Sequence, residues 1–244
     1  MERLTPCPGP TTIAEQLEGF PPPPPYDAKR PYVFTNFAET VDGHATIAGQ
    51  SGKIASETDT QILMALRAGS DAVLVGAGTI RAERYGCLLP AEEARAARER
   101  RGMPPSPLAV IVSSGLELPW EIGLFSSGVG SVLIFTTSAE QPPRTATPTQ
   151  VVRHPKGVDL ACALRQLRTE HGVEGLLSEG GPTLHGALLE QRLVDSLFVT
   201  VGAKLAGGQG PRIAEGLTSG PLELELAWLL REGDELYARY AVRG

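Results

Sequence analysis

Gly175-Leu176-Leu177-Ser178-Glu179-Gly180-Gly181-Pro182-Thr183-Leu184 is an apolar run of strand length that ends in two glycines and leads into a helix. Pro182 suits the first helical turn, where its missing N–H has no intrahelical partner to lose, and paired glycines let a ligand approach the backbone closely. Free amides and the positive end of the helix dipole at such a start favour an anion, so a diphosphate-bearing cofactor is the natural guest. Taken alone, the same glycine pair serves equally as a tight packing turn.

Outward from this stretch, short apolar runs at 32–38, 72–76, 108–112, 131–135, 175–177 and 197–201 alternate with segments of helical period at 57–68, 91–101, 160–171 and 182–192. That alternation predicts an α/β domain with a mostly parallel sheet and helices on both faces. Segments 222–230 and 236–242 flank the turn residues 231–234 and predict an antiparallel hairpin at the end of the chain. Residues 1–31 carry nine of the 21 prolines, including the run 21–25. They read as an extended arm, residues 1–30, outside a core domain of 31–244, with one short helix available at 11–19.

Of 244 residues, 41% are hydrophobic and 20% charged, which excludes disorder throughout. No stretch reaches the ~18 uninterrupted apolar residues of a membrane-spanning helix, and MERLTPCPGP lacks the apolar core of a secretory signal, so a cytoplasmic protein with no membrane partner is expected. Twenty-two Lys and Arg against 28 Asp and Glu give a net charge of −6, which argues against nucleic acid. Cys7, Cys87 and Cys162 read as reduced thiols, and His44, His154, His171 and His185 lack metal-ligand spacing, so no metal is expected. His185 reads as a partly buried helix residue.

Val73-Leu74-Val75-Gly76-Ala77-Gly78-Thr79-Ile80-Arg81 is a second glycine-bearing strand end. It starts like a dinucleotide fingerprint but has Arg81 where the third glycine belongs, so an ordinary Rossmann site is disfavoured. Asp42-Gly43 is a turn pair leading to Ser51-Gly52-Lys53, and Ser51, Lys53, Arg67, Arg81 and Arg84 supply hydroxyl and cationic groups suited to a phosphorylated substrate. Arg67 serves equally as a solvated helix charge.

Taken in order, TVDGHATIAG, SGKIAS, LRAGSDAVLVGAGTIRAE, LLSEGGPTLHGALLEQRLVD and VGAKLAGG resemble the pyrimidine reductase family of riboflavin biosynthesis, the reductase half of the bifunctional deaminase-reductase. The likeness spans most of 31–244, and the H-x-E and P-C-x-x-C signature of the deaminase half does not occur. The resemblance implies a three-layer α/β/α, dihydrofolate reductase-like fold and a homodimer. It also implies NADPH and reduction of the ribose of 5-amino-6-(5-phosphoribosylamino)uracil to a ribityl chain. By motif, Lys53, Thr79, Glu83 and Ser114 fall near the cofactor, with Ser114 toward the adenosine 2′-phosphate, and Gly180, Gly181, Pro182, Thr183 and Leu184 cradle its phosphates. Ser51, Arg67 and Glu179 face the substrate.

The loop Ala82-Glu83-Arg84-Tyr85-Gly86-Cys87 departs from the Asp-Pro pattern common in the family. The implied chemistry is hydride transfer to C1′ of a ring-opened imine, which needs reactants stacked at near-attack distance more than it needs a nucleophile. Glu83 or Asp42 is then available to position or protonate a ribose oxygen. Two other readings stand beside it: a reductase of another pterin or pyrimidine such as dihydrofolate, and a non-catalytic nucleotide-binding protein that works through its proline arm.

Overall fold

A computed structural model describes residues 1–23 and 28–243. In chain order the elements are β1 Glu2–Thr5, β2 Gly9–Pro10, α1 Ile13–Gln16, β3 Tyr32–Thr40, α2 Glu57–Gly69, β4 Ala72–Gly76, α3 Ala77–Glu83, α4 Glu92–Arg100 and β5 Leu108–Ser113. There follow α5 Gly123–Ser126, β6 Val132–Thr136, β7 Thr149–Arg153, α6 Leu160–Glu170, β8 Gly175–Gly180, α7 Pro182–Glu190, β9 Ser196–Gly202, β10 Leu224–Glu232 and β11 Glu235–Val242. The chain divides into two compact units, one of Met1–Pro22, Val33–Leu66 and Gly181–Gly244, the other of Pro23–Tyr32 and Arg67–Gly180.

The second unit carries the parallel sheet that the short apolar runs predict. Its strands lie in the order β8-β4-β5-β6-β7, every pair parallel. Val73, Val110, Ile111, Leu133, Ile134, Leu176 and Leu177 are buried, as strands covered on both faces require. On α6, Leu160, Ala163, Leu164 and Leu167 form one apolar stripe, and Asp159 caps the helix by accepting from the Cys162 amide at 2.9 Å. The end of α2 is closed by a cation: buried Arg98 donates from Nη1 to the carbonyls of Ala68, at 3.0 Å, and Ser70, at 2.7 Å.

In the first unit the order is β2-β1-β10-β11-β9-β3, with β3 and β9 parallel and the remaining pairs antiparallel. The predicted C-terminal hairpin is present, and its loop is the two residues Gly233 and Asp234 between paired Glu232 and Glu235. Phe37 on β3 packs with Leu197 and Val199 on β9, and α7 adds buried His185, Leu188 and Leu189.

The N-terminal segment differs from the arm expected outside the core. Strand β1 pairs with β10, and the Met1 amino group meets Glu232 at 2.5 Å. Thr12 and Glu15 form a capping box on α1. Phe20 sits edge-on to Phe34 and Phe198 at 4.8 and 5.1 Å, with the Arg239 guanidinium 4.4 Å from its ring centre. Packing that half-buried ring and satisfying an open β10 edge outweigh the extended preference of the prolines. Pro24 and Pro25 of the proline run lie outside the described residues.

Candidate active site

In the second unit, β8 enters the site through a bulge. Leu74 pairs with Ser178 and Val75 with Gly180, so Glu179 is an extra residue between them. Such an insertion turns a side chain out of the strand alternation. Glu179 thereby meets Arg67 in a two-pronged pair, Nε to Oε1 and Nη2 to Oε2, both 2.6 Å. The side chains are 5% and 11% exposed, and Arg67 Nη1 also donates to the Leu88 carbonyl at 3.1 Å. The Tyr85 hydroxyl donates to Glu179 Oε2 at 2.8 Å. Burial, then the Glu179 charge, pushes the Tyr85 phenol well above its usual range.

Arg67 is therefore neither a solvated helix charge nor a free phosphate clamp, because a guanidinium this deeply buried must keep a counter-charge. Arg84 pairs with Glu121 at 2.7 Å, and Arg81 donates to the Glu117 carbonyl at 3.0 Å. These three arginines thus each have a partner in their own unit. Thr79 lies in α3 and donates to the Gly180 carbonyl at 3.1 Å, tying the β4 exit to the end of β8. Glu83 is the last residue of α3 and is exposed.

Beyond the carboxyl ends of β5 and β6, and after β7, lies a cleft of about 540 Å³ lined by Ser114, Thr137 and Lys156 with Val112, Pro155, Gly157 and Val158. Ser114 and Lys156 are exposed. The Thr137 hydroxyl donates to the Ser114 carbonyl at 2.7 Å, fixing that turn. Clefts of this kind, outside the carboxyl ends of parallel strands, are where open α/β sheets take ligands.

The chain leaves β8 at Gly180 and turns directly into α7, which belongs to the first unit. Gly180 has φ +58° and Gly181 +94°, values that a residue with a side chain adopts only under strain. Pro182 stands at the start of α7, and no side chain caps the helix at Gly181. The first intrahelical bond is from the His185 amide to the Gly181 carbonyl, at 3.0 Å, which leaves the Thr183 and Leu184 amides without an intrahelical acceptor. That start accordingly fits an anion. Gly186 is glycine because the loop after β9 crosses α7 there: a methyl group would overlap the Glu215 carbonyl oxygen.

His185 is fully buried rather than partly so. Its ring stacks on Phe37 at 4.3 Å and its Nδ1 lies 2.7 Å from the Ile213 carbonyl, so Nδ1 carries the proton and donates. Burial pushes its pKa down to about 4. Asp42, weighed from sequence as a proton donor, instead anchors the loop after β9. It accepts from the Thr40 hydroxyl at 2.5 Å, the Ala206 amide at 3.1 Å and the Gly207 amide at 2.8 Å. The Thr40 hydroxyl first, then the Gly207 and Ala206 amides, hold its carboxyl far below the usual carboxylate range. Such a group holds a loop and has no proton to give near neutral pH.

Ser51 and Lys53 form a short 3-10 turn, and Lys204 donates to the Lys53 carbonyl at 2.7 Å. Close to the start of α2, Asp59 accepts from Thr200 at 2.6 Å, and burial raises its pKa. Glu235 accepts there from Ser56 and Tyr237, both at 2.6 Å. Sequence reasoning missed Lys156, whose signal is a cation and a glycine following a strand that was itself missed. It also left Tyr85 without a role.

The parallel strands, glycine turn and buried carboxylate–guanidinium pair define an α/β protein whose α7 starts behind two glycines with no side-chain cap. The chain belongs to the family described as the RibD C-terminal domain, which it matches over residues 31–236. It is 32% identical over 201 residues to the 2,5-diamino-6-ribosylamino-4(3H)-pyrimidinone 5′-phosphate reductase of Archaeoglobus fulgidus, covering 77% of this chain and 87% of that one. It is 30% identical to the protein of the same description from Methanothermobacter thermautotrophicus, covering 88% of this chain and all of the relative. The crystal structure of a pyrimidine reductase-like protein from Corynebacterium diphtheriae aligns with a TM-score of 0.78 at 22% identity, over 96% of this chain and all of that one, and shows the fold. Among the described residues no helix is long and apolar enough to cross a membrane.

Proposed function

We propose that this chain is an NADPH-dependent reductase that converts 2,5-diamino-6-ribosylamino-4(3H)-pyrimidinone 5′-phosphate, or its 2-oxo analogue 5-amino-6-(5-phosphoribosylamino)uracil, to the ribityl compound. The relatives aligned over most of their length carry the diamino name, so that pyrimidine is the first choice. The observation that carries the reading is the uncapped start of α7 behind two glycines at positive φ, a built place for a diphosphate. Thr183 and Leu184 would supply amides to it, with Lys53, Thr79 and Glu83 as further cofactor residues. In the cleft of the second unit, Ser114 and Lys156 offer a hydroxyl and a cation to a phosphate monoester, the group that separates NADPH from NADH.

When bound, NADPH supplies a hydride. The acceptor would be C1′ of the open-chain imine, whose nitrogen would take up a solvent proton. Asp42 keeps the loop after β9 in place, Ser51 and Arg67 stand on the substrate side, and Glu179 accepts a donor from the substrate. A homodimer completes the proposal and would sediment at twice the 25.8 kDa chain mass. Loss of nicotinamide absorbance on mixing the protein, NADPH and either pyrimidine tests it. Oxidation with dihydrofolate and with neither pyrimidine would replace the substrate, and no nucleotide binding by calorimetry would end the proposal.

A further inference from the structure

Glu179 receives three donors, and they are unevenly shared. Oε2 takes Arg67 Nη2 at 2.6 Å and the Tyr85 hydroxyl at 2.8 Å, whereas among the described residues Oε1 takes only Arg67 Nε at 2.6 Å. A carboxylate oxygen offers two acceptor positions, so Oε2 is filled and Oε1 keeps one open. The two-pronged Arg67 contact alone would satisfy the ion pair. Tyr85 adds a bond that the pair does not require, and its effect is to decide which oxygen remains available.

Tyr85 is also firmly presented. It follows Arg84, which sits at φ +47°, and its carbonyl accepts from the Leu124 amide at 3.1 Å. Gly86 lies against Gly123 so closely that a methyl group at Gly123 would come within 3.1 Å of the Gly86 Cα. Further along the loop, Arg95 Nη1 holds the Leu89 and Pro90 carbonyls at 2.8 and 2.7 Å. The guanidinium of Arg67 lies 5.3 Å from the centre of the Tyr85 ring, so the ring roofs the pair while its hydroxyl closes Oε2.

We propose that Tyr85 is a positioning residue for the reduction: it blocks Glu179 Oε2 so that a hydrogen-bond donor on the substrate meets Oε1 alone. This rests on the reading that Glu179 faces the substrate. The loop that carries Tyr85 thereby sets the register of the substrate against a carboxylate contributed by β8. Because the phenol stays protonated at working pH, it donates throughout and never competes with Oε1 as a base.

The test compares wild type with Tyr85→Phe in the full chain, using NADPH and the diamino pyrimidine. The variant keeps the ring over Arg67 and loses only the hydroxyl, so it folds, with its melting temperature lowered by a few degrees. The KM for the pyrimidine rises, or kcat falls, by about tenfold, the worth of one hydrogen bond to a charged group, while the KM for NADPH stays unchanged. Wild-type kinetics in the variant overturn the proposal, as does an equal loss for both substrates. Should wild type oxidise NADPH with neither pyrimidine, the functional reading fails by itself, and a crystal structure of the variant decides the positioning. A rotated Glu179 carboxylate or a new donor on Oε2 supports it. An unmoved carboxylate with nothing new on Oε2 overturns it.

Discussion

Replacing Arg67 by Met should separate what the buried ion pair does for stability from what it does for the reaction. In the native chain the guanidinium makes two 2.6 Å bonds to a carboxylate that is 5% exposed. Removing it leaves Glu179 with the single Tyr85 donor in a site almost without water, and leaves the Leu88 carbonyl without Nη1. Breaking a buried pair by removing one partner costs about 3–5 kcal/mol, and Glu179→Met should cost a similar amount by stranding Arg67. The double variant carries no stranded charge. Its remaining cost is an unsatisfied Tyr85 hydroxyl and Leu88 carbonyl, about 1–3 kcal/mol, so the two single losses should fall short of additivity by several kcal/mol. Urea unfolding measures this through the midpoint at constant slope. NADPH oxidation measured on the same preparations should be lost in all three variants, including the double variant that has regained stability. Additive losses, or single losses below about 1 kcal/mol, would refute the claim that the pair is mutually compensating.

Three further outcomes follow from single contacts. The folded state binds the His185 proton more weakly than the unfolded chain, with a pKa of about 4 against 6.5, so its contribution is complete above pH 6.5 and is lost as pH falls toward 4. The loss approaches about 3 kcal/mol at ~1.4 kcal/mol per unit. Denaturation across that window should show a flatter pH dependence in His185→Gln, whereas half-buried Asp59, whose pKa is raised, contributes with the opposite sign. Lys156→Ala should raise the KM for NADPH about tenfold and leave that for NADH unchanged, in a steady-state comparison of the two nucleotides, and equal effects on both would remove Lys156 from the phosphate. Phe20→Ala should lower stability by about 2–3 kcal/mol in thermal or urea unfolding, since it empties a cluster shared with Phe34 and Phe198, and no change would return the N-terminal segment to the status of a loose arm.

Where a single physical demand ruled a segment, its sequence disclosed the fold. Runs such as Ala72–Gly76 and Val132–Thr136 must bury both faces, so they are apolar throughout and read directly as parallel strands. Pro182 behind two glycines marks the start of α7 for the same reason, since each residue type there answers a local backbone requirement. Thr149–Arg153 was missed because an edge strand can stay polar on one side, and TQVVR next to a proline-rich loop has neither continuous apolarity nor clean alternation. The N-terminal segment was misread for a different reason: proline content reports local preference, whereas its place is decided by Phe20 and by a strand more than 200 residues away. The site divides along the same line. Glycines and a helix start can be read locally, but whether Arg67 is free or paired depends on a one-residue bulge in β8 that no pattern in LLSEGG announces. Asp42 and Tyr85 mirror each other in this respect. A carboxylate held by the Thr40 hydroxyl and by two amides of the loop after β9 is tied to structure, and a phenol that fills one oxygen of its neighbour leaves a position open on the other. Residue type therefore nominates the chemistry, and the partners the fold brings to each group, two loop amides for Asp42 and a buried guanidinium for Glu179, separate the nominees.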